Sequence, residues 1–140
     1  MDITFKFDTE NVDWELVREI LQIVNMANYT AAIHKNAFVN SRTTVFAYDN
    51  DKLIGFGRAL SDGAYQAALY DLAILPEYQG KGIGKKILHF LMEHNATCNF
   101  ILYASIGKEP FYEKEKYRKM KTGMALFQNM EKMKEKGFTE

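Results

Sequence analysis

A short glycine-rich segment in the second half of the chain combines residue types that suit the binding of an anion. Its sequence is QGKGIG, residues 79–84, and three lysines stand in it or just after it: Lys81, Lys85 and Lys86. Glycines let a backbone adopt positive φ angles and approach a ligand closely. The first N–H groups of a helix lack intrahelical partners and carry partial positive charge. If a helix begins here, the segment predicts a site for a pyrophosphate or a similar group.

The residues on both sides of this segment predict a strand before it and a helix after it. Residues 69–75 form an apolar run interrupted only by Tyr70 and Asp71, and Pro76 ends the run because proline cannot donate to a sheet ladder. Apolar residues then recur at the spacing of a helix with one buried face. They are Ile83, Ile87, Leu88, Leu91 and Met92. A plain strand-to-helix turn without a ligand is the alternative that these residues leave open.

Two common phosphate-binding patterns do not fit this segment. The P-loop requires a glycine at position 79 and a hydroxyl at position 86, where this chain has Gln79 and Lys86. The dinucleotide-binding pattern requires a third glycine, which this chain lacks at the required spacing. The pattern that fits is Gln/Arg-x-x-Gly-x-Gly/Ala, matched by Gln79, Gly82 and Gly84. This segment resembles the pyrophosphate loop of the GNAT superfamily of N-acetyltransferases, which implies acetyl-CoA as cosubstrate. The cofactor-binding residues implied by the resemblance are Leu72, Ala73, Ile74, Gln79, Gly80, Lys81, Gly82, Ile83, Gly84 and Lys85.

The rest of the chain predicts strands and helices that position this loop in an α+β fold. Strands are predicted at 3–7, 43–48, 52–60, 67–75, 100–104 and 122–128, the fifth of them buried, and helices at 12–25, 31–39, 83–92 and 109–114. A turn cluster at 49–51 predicts an antiparallel hairpin, and the helix at 83–92 predicts a right-handed crossover between parallel strands. This order is that of the GNAT fold, a mostly antiparallel central sheet with a parallel pair after the central strand, flanked by helices.

A second segment, GKEPFYEK at residues 107–114, resembles the family's helix after the fifth strand. The resemblance implies that Tyr112 is a general acid, which protonates the coenzyme A thiolate as it leaves. A phenol suits this role because it is protonated at neutral pH and can hydrogen-bond to sulfur. The alternative is that Tyr112 is an aromatic residue packed against the last strands.

The resemblance also implies direct attack of a primary amine on the thioester carbonyl, polarised by a backbone N–H of residues 72–74. Some relatives carry Glu or His on this strand, at positions that match Ala68 and Tyr70 here. Asp71 is the nearest carboxylate, and strand alternation predicts that its side chain points opposite to those of Tyr70 and Leu72. Asp71 is therefore either the general base or a partner of Arg58, and a water chain is a third option.

The acceptor is expected to bind around residues 26–38 and 58–66, with Tyr29, Arg58 and Asp71 as candidate contacts. His34 could be a ligand or a base, but taken alone it predicts a solvated helix residue. The expected acceptor is the primary amine of a small molecule or a peptide. The alternative function, an acyl-CoA-binding sensor or accessory module with weak or no catalysis, rests on the missing strand base. An edge strand at 122–128 could pair between subunits, which leaves a homodimer open.

Composition limits the remaining classes of protein. A chain of 140 residues predicts a single domain, with about 129–140 as a solvated tail. The 18 basic and 18 acidic residues cancel, so no overall field favours nucleic acid or an anionic membrane. One cysteine, Cys98, excludes an internal disulfide and a cysteine-only zinc site, and no metal is expected. No apolar run is long enough for a membrane span and the first residues do not open a signal peptide, which predicts a cytoplasmic protein.

Overall fold

The computed structural model describes residues 1–140, which divide into two units, Met1–Leu102 and Tyr103–Glu140. The first unit contains β1 Ile3–Lys6, α1 Trp14–Ile23, α2 Ala31–Val39, β2 Thr43–Asp49, β3 Lys52–Ser61, β4 Gln66–Ile74, α3 Ile83–Glu93 and β5 Asn99–Ile101. The second unit contains α4 Glu109–Glu113 and α5 Met130–Glu135. The predicted single domain is not tested by this division and stays a prediction.

The five strands form one sheet in the order β1-β2-β3-β4-β5. The first three pairings are antiparallel, and β5 pairs parallel to β4, as expected when a helix connects the two strands. The predicted hairpin between β2 and β3 is present, with Asn50 at φ 52° in its turn, because asparagine tolerates the left-handed region. The predicted fold class, a mostly antiparallel sheet with one parallel pair and flanking helices, is confirmed.

The helices of the first unit cover opposite faces of the sheet. The ring of Phe56 on β3 packs 5.5 Å from that of Phe38 on α2, so this face lies under α1 and α2. A Cβ on the next residue, Gly57, would lie 3.0 Å from Cγ2 of Ile87, so the other face lies under α3. The predicted stripe on α3 is buried: Ile83, Ile87, Leu88 and Leu91. Side-chain caps from Asp13 and Thr30 begin α1 and α2.

Two predictions for the chain after α3 are wrong. The fifth strand is shorter than predicted and is not buried, since Ile101 is 50% exposed. The predicted strand at 122–128 does not form. A strand is stable only when a partner takes up its backbone hydrogen bonds and its side chains bury surface. Met124 and Leu126 are 95% and 91% exposed, so their side chains bury almost no surface. No strand of the sheet pairs with this segment, and its apolar composition alone does not make it a strand.

The second unit is organised by caps and aromatic contacts. Asn129 caps α5 through the N–H of Lys132, and α4 has a proline in its first turn as predicted. The ring of Tyr103 lies 5.5 Å from that of Phe127 and 5.7 Å from that of Phe138. No helix of the protein combines the length and the apolar character that a membrane crossing requires.

Candidate active site

The glycine-rich segment is a turn that leads from β4 into α3. A single 3₁₀ turn, Pro76–Tyr78, follows the strand, and Nε2 of Gln79 donates to the carbonyl of Ile74 at 2.9 Å. Gly80 and Gly82 then adopt φ angles of +76° and +82°, in the left-handed region where other residues are strained. The glycines at 80 and 82 are therefore required by the backbone of the turn.

The beginning of α3 has the features of an anion site. Gly82 is the N-cap and supplies no side chain to the first amides, and the first turn contains no acidic residue. A Cβ added to Gly80 or Gly82 would meet no protein atom within 4 Å, so a ligand can approach the backbone from that side. Lys81 and Lys85 are exposed beside it, whereas the side chain of Ile83 is buried and only its backbone could reach a ligand.

The turn is also fixed to the β2–β3 hairpin by contacts that the sequence did not reveal. The hydroxyl of Tyr78 donates to Oδ2 of Asp49 at 2.6 Å, and this hydrogen bond lowers the pKa of the Asp49 carboxyl. The Lys52 ammonium lies 3.9 Å from a Glu77 carboxylate oxygen and 5.6 Å from the centre of the Tyr78 ring. These contacts join residues 25 to 29 positions apart, so only the folded chain brings them together.

The end of β4 leaves one edge of the strand open. β5 pairs with β4 only as far as Ala68, opposite Ile101. On the other edge, the N–H of Leu75 donates to the carbonyl of Ile54 on β3 at 2.9 Å. Peptide groups alternate between the two edges of a strand. It follows that Leu72 and Ile74, rather than Ala73, direct their N–H and C=O groups toward the open edge.

A β-bulge interrupts β4 at Asp71, which has φ +56°. The bulge inserts one extra residue and breaks the alternation of side chains. Nε of Arg58 donates to Oδ2 of Asp71 at 2.7 Å, and the same guanidinium lies 5.2 Å from the centre of the Tyr70 ring. The predicted alternation is therefore wrong, since Tyr70 and Asp71 both contact Arg58, on the face covered by α1 and α2. The ion pair predicted as an alternative for Asp71 is present, with only 15% and 19% of the two side chains exposed.

His34 belongs to the same polar cluster. The expectation of a solvated helix residue is wrong, since His34 is 3% exposed, and burial lowers the pKa of its imidazole. The charges of Asp71 and Arg58 also act on this pKa, in opposite directions. The ring of Tyr29 lies edge-on to the imidazole at 5.7 Å, and Tyr29 itself is 59% exposed. The structure thus brings the three predicted acceptor residues, Tyr29, Arg58 and Asp71, into one cluster with His34.

Tyr112 lies on α4 in the second unit, where its ring packs against those of Phe111 and Tyr117 at 5.0 and 5.8 Å. Burial raises the pKa of the Tyr112 phenol, which keeps it protonated at neutral pH. Burial also raises the pKa of Tyr117 to about 12. The structure contains no group of three or more His, Cys, Asp and Glu side chains that could hold a metal ion.

Comparison with known proteins identifies the family to which this arrangement belongs. The acetyltransferase (GNAT) domain model matches residues 40–119, more than half of the chain. An uncharacterised ycf52-like N-acetyltransferase of Prochlorococcus marinus is 30% identical over 120 residues, which cover 80% of this chain and 67% of that protein. The chain therefore belongs to the GNAT family of acetyltransferases, and it is an acyltransferase of that type. Matches to other curated relatives span 17% to 39% of their length.

Solved structures agree on the fold. A protein of unknown function from meticillin-resistant Staphylococcus aureus, described as a probable acetyltransferase, has a TM-score of 0.79 at 24% identity, over 90% of this chain and 99% of that one. Naa50 of Arabidopsis thaliana, solved with the bisubstrate analogue CoA-Ac-MVNAL, has a TM-score of 0.67 at 18% identity, over 82% of each chain. At these identities the likeness establishes the GNAT fold alone.

Proposed function

We propose that the protein transfers the acetyl group of acetyl-CoA to a primary amine of a small molecule or a peptide, by direct attack of the amine on the thioester. The observation that carries this proposal is the turn between β4 and α3. Two glycines at positive φ there leave open space in front of a helix N-terminus. The turn belongs to a chain whose family is defined by acetyl transfer.

The turn would hold the pyrophosphate of acetyl-CoA. Backbone N–H groups at the start of α3 point out of the helix, and the helix dipole favours negative charge there. The open space at Gly80 and Gly82 would let the ligand approach, Gln79 holds the turn to β4, and exposed Lys81 and Lys85 add positive charge. Naa50, a relative in fold, was solved with an analogue that contains coenzyme A, which supports the choice of cosubstrate.

The open edge of β4 would hold the acyl end. When bound, acetyl-CoA supplies the thioester that the amine attacks. The N–H of Leu72 or Ile74 would donate to the thioester oxygen, where negative charge develops, and a preorganised donor at that point lowers the barrier. Tyr112 would donate its phenolic proton to the leaving thiolate. Burial raises the pKa of this phenol, so the phenol carries its proton at neutral pH.

The cluster of Tyr29, Arg58 and Asp71 is the proposed acceptor side. It lies on the face covered by α1 and α2, and Asp71 directly precedes Leu72 in the chain. The analogue in the Naa50 complex carries a peptide, which supports a peptide amine as one member of the proposed class. A cytoplasmic location also stays a prediction, and so does a homodimer. The strand that was expected to pair between subunits does not form.

Two measurements test the proposal. Calorimetric titration with acetyl-CoA should show saturable binding, and its absence at millimolar ligand would rule the function out. A thiol-release assay with polyamines, arylalkylamines, amino acids, peptides and aminoglycosides should find at least one acceptor. Binding without release from any amine would instead favour an acyl-CoA sensor, which the named N-acetyltransferase relatives do not favour.

A further inference from the structure

One buried polar atom on α2 has no partner in the protein. His34 is only 3% exposed, and its Nε2 is inaccessible to solvent and makes no hydrogen bond. Buried side-chain nitrogens are nearly always hydrogen-bonded, and an unpaired one calls for a bound group or a functional reason. The imidazole does not serve as a cap of its own helix, because Thr30 caps α2.

Three charged groups act on the pKa of the imidazole: Arg18 on α1, Arg58 on β3 and Asp71 on β4. The ring of Tyr29 lies 5.7 Å from the imidazole, and all of these residues except Arg18 belong to the proposed acceptor side. Asp71 favours a proton on the imidazole and the two arginines oppose it. Asp71 also lies in the left-handed region at φ +56°, where Arg58 holds its carboxylate at 2.7 Å. Bulges of this kind are over-represented next to active sites.

We propose that His34 is the general base of the acetyl transfer, with Asp71 stabilising the imidazolium and Arg58 positioning Asp71. This inference rests on the function proposed above. The bulge brings the carboxylate of Asp71 to the face where His34 lies, directly before Leu72, whose N–H faces the open edge of β4. Nε2 is closed to solvent in this structure, so the acceptor would reach it only after the exposed ring of Tyr29, in the irregular segment between α1 and α2, moves aside.

The step balances as a proton transfer coupled to acyl transfer. The acceptor nitrogen gives one proton to Nε2 of His34 and forms a bond to the acetyl carbon. The carbon–sulfur bond breaks, and the sulfur leaves with the electron pair and takes the proton of Tyr112. The imidazolium then gives its proton to solvent, and the Tyr112 phenolate takes up a proton from solvent, which restores both groups. Because burial lowers the pKa of His34 below its ordinary value of 6.5, the ring is neutral and able to accept a proton at pH 7.

The decisive experiment compares His34→Gln with His94→Gln in the thiol-release assay, using acetyl-CoA and the best amine of the panel. Glutamine keeps hydrogen-bonding capacity but cannot take up a proton in this pH range. Since a general base contributes roughly 10²- to 10⁴-fold, kcat of His34→Gln should fall at least 100-fold while calorimetric binding of acetyl-CoA is retained. The control replaces an exposed histidine outside the cluster and should leave both unchanged.

The pH profile separates catalysis from a structural role. In the wild type, kcat/KM should fall below pH 6.5, since protonated His34 cannot act as a base, and His34→Gln should lose this acid limb. NMR titration of the wild-type imidazoles, assigned with His89→Gln and His94→Gln, should give His34 the pKa of that limb, whether or not His34→Gln folds. A different NMR pKa, or full activity in His34→Gln, would overturn the inference and leave the proposed function intact. An inactive wild type would instead refute both.

Discussion

Replacing Gly82 separates the requirements of the backbone from those of the ligand. Gly82 lies at φ +82°, and a Cβ there would meet no protein atom within 4 Å. An added side chain would therefore clash with nothing in the protein but would enter the space in front of α3. We expect Gly82→Ala to fold and to lose most of its affinity for acetyl-CoA.

The two effects have different expected magnitudes. An L-residue in the left-handed region costs roughly 1–2 kcal/mol, so the free energy of unfolding should fall by about that amount. A hydrogen bond to a charged group contributes about 1.5–3 kcal/mol. Loss of one such bond to the pyrophosphate should raise Kd by roughly 10- to 150-fold, at about 1.4 kcal/mol per decade. Gly82→Glu should bind still more weakly, because its carboxylate repels the pyrophosphate.

The assay pairs urea denaturation with calorimetric titration of acetyl-CoA. Gly82→Asn should be less destabilised than Gly82→Ala, because asparagine tolerates the left-handed region, yet it should bind as weakly. Gly137→Ala is the control, since Gly137 has φ +90° and its nearest neighbour, Cδ1 of Ile106, would lie at an ordinary 3.9 Å. It should lose stability but not affinity. Wild-type Kd in both Gly82→Ala and Gly82→Asn would refute a pyrophosphate site at this turn.

Three further predictions concern other parts of the structure. Tyr112→Phe should lower kcat roughly 10²-fold or more without weakening acetyl-CoA binding, and unchanged kcat would remove Tyr112 from the mechanism. In the wild type, the loss of activity that follows deprotonation of the Tyr112 phenol should lie above pH 10, because burial raises the pKa of this phenol. Arg58→Met should lower the free energy of unfolding, measured by urea denaturation, by about 3 kcal/mol, because it leaves Asp71 charged and unpaired. Adding Asp71→Asn to Arg58→Met should recover part of this loss, and additive losses in the double variant would argue against coupling. Gly55→Ala should lose more stability in urea denaturation than Gly57→Ala. A Cβ at position 55 would lie 2.8 Å from the carbonyl oxygen of Ala73, whereas a Cβ at position 57 would meet only side chains. Equal losses would contradict this packing.

Several tertiary features were outside the reach of the sequence. Alternation placed Asp71 opposite Tyr70, but the bulge puts both side chains against Arg58, and a bulge depends on the pairing of two strands. His34, taken alone, was expected to be a solvated helix residue, but it is buried in the folded chain. Residues 122–128 have the composition of a strand but no partner, so they form none.

The sequence by itself determined the strand, glycine turn and helix at residues 69–91, the β2–β3 hairpin and the order of elements up to α4. These features depend on residues close together in the chain: apolar periodicity, turn chemistry, and glycines at positions that need positive φ. Only the tertiary structure decided where β4 leaves an edge open, which side chains surround Arg58, and that Tyr78 fixes the turn to Asp49. Those features depend on contacts between distant segments, whose geometry no local pattern encodes.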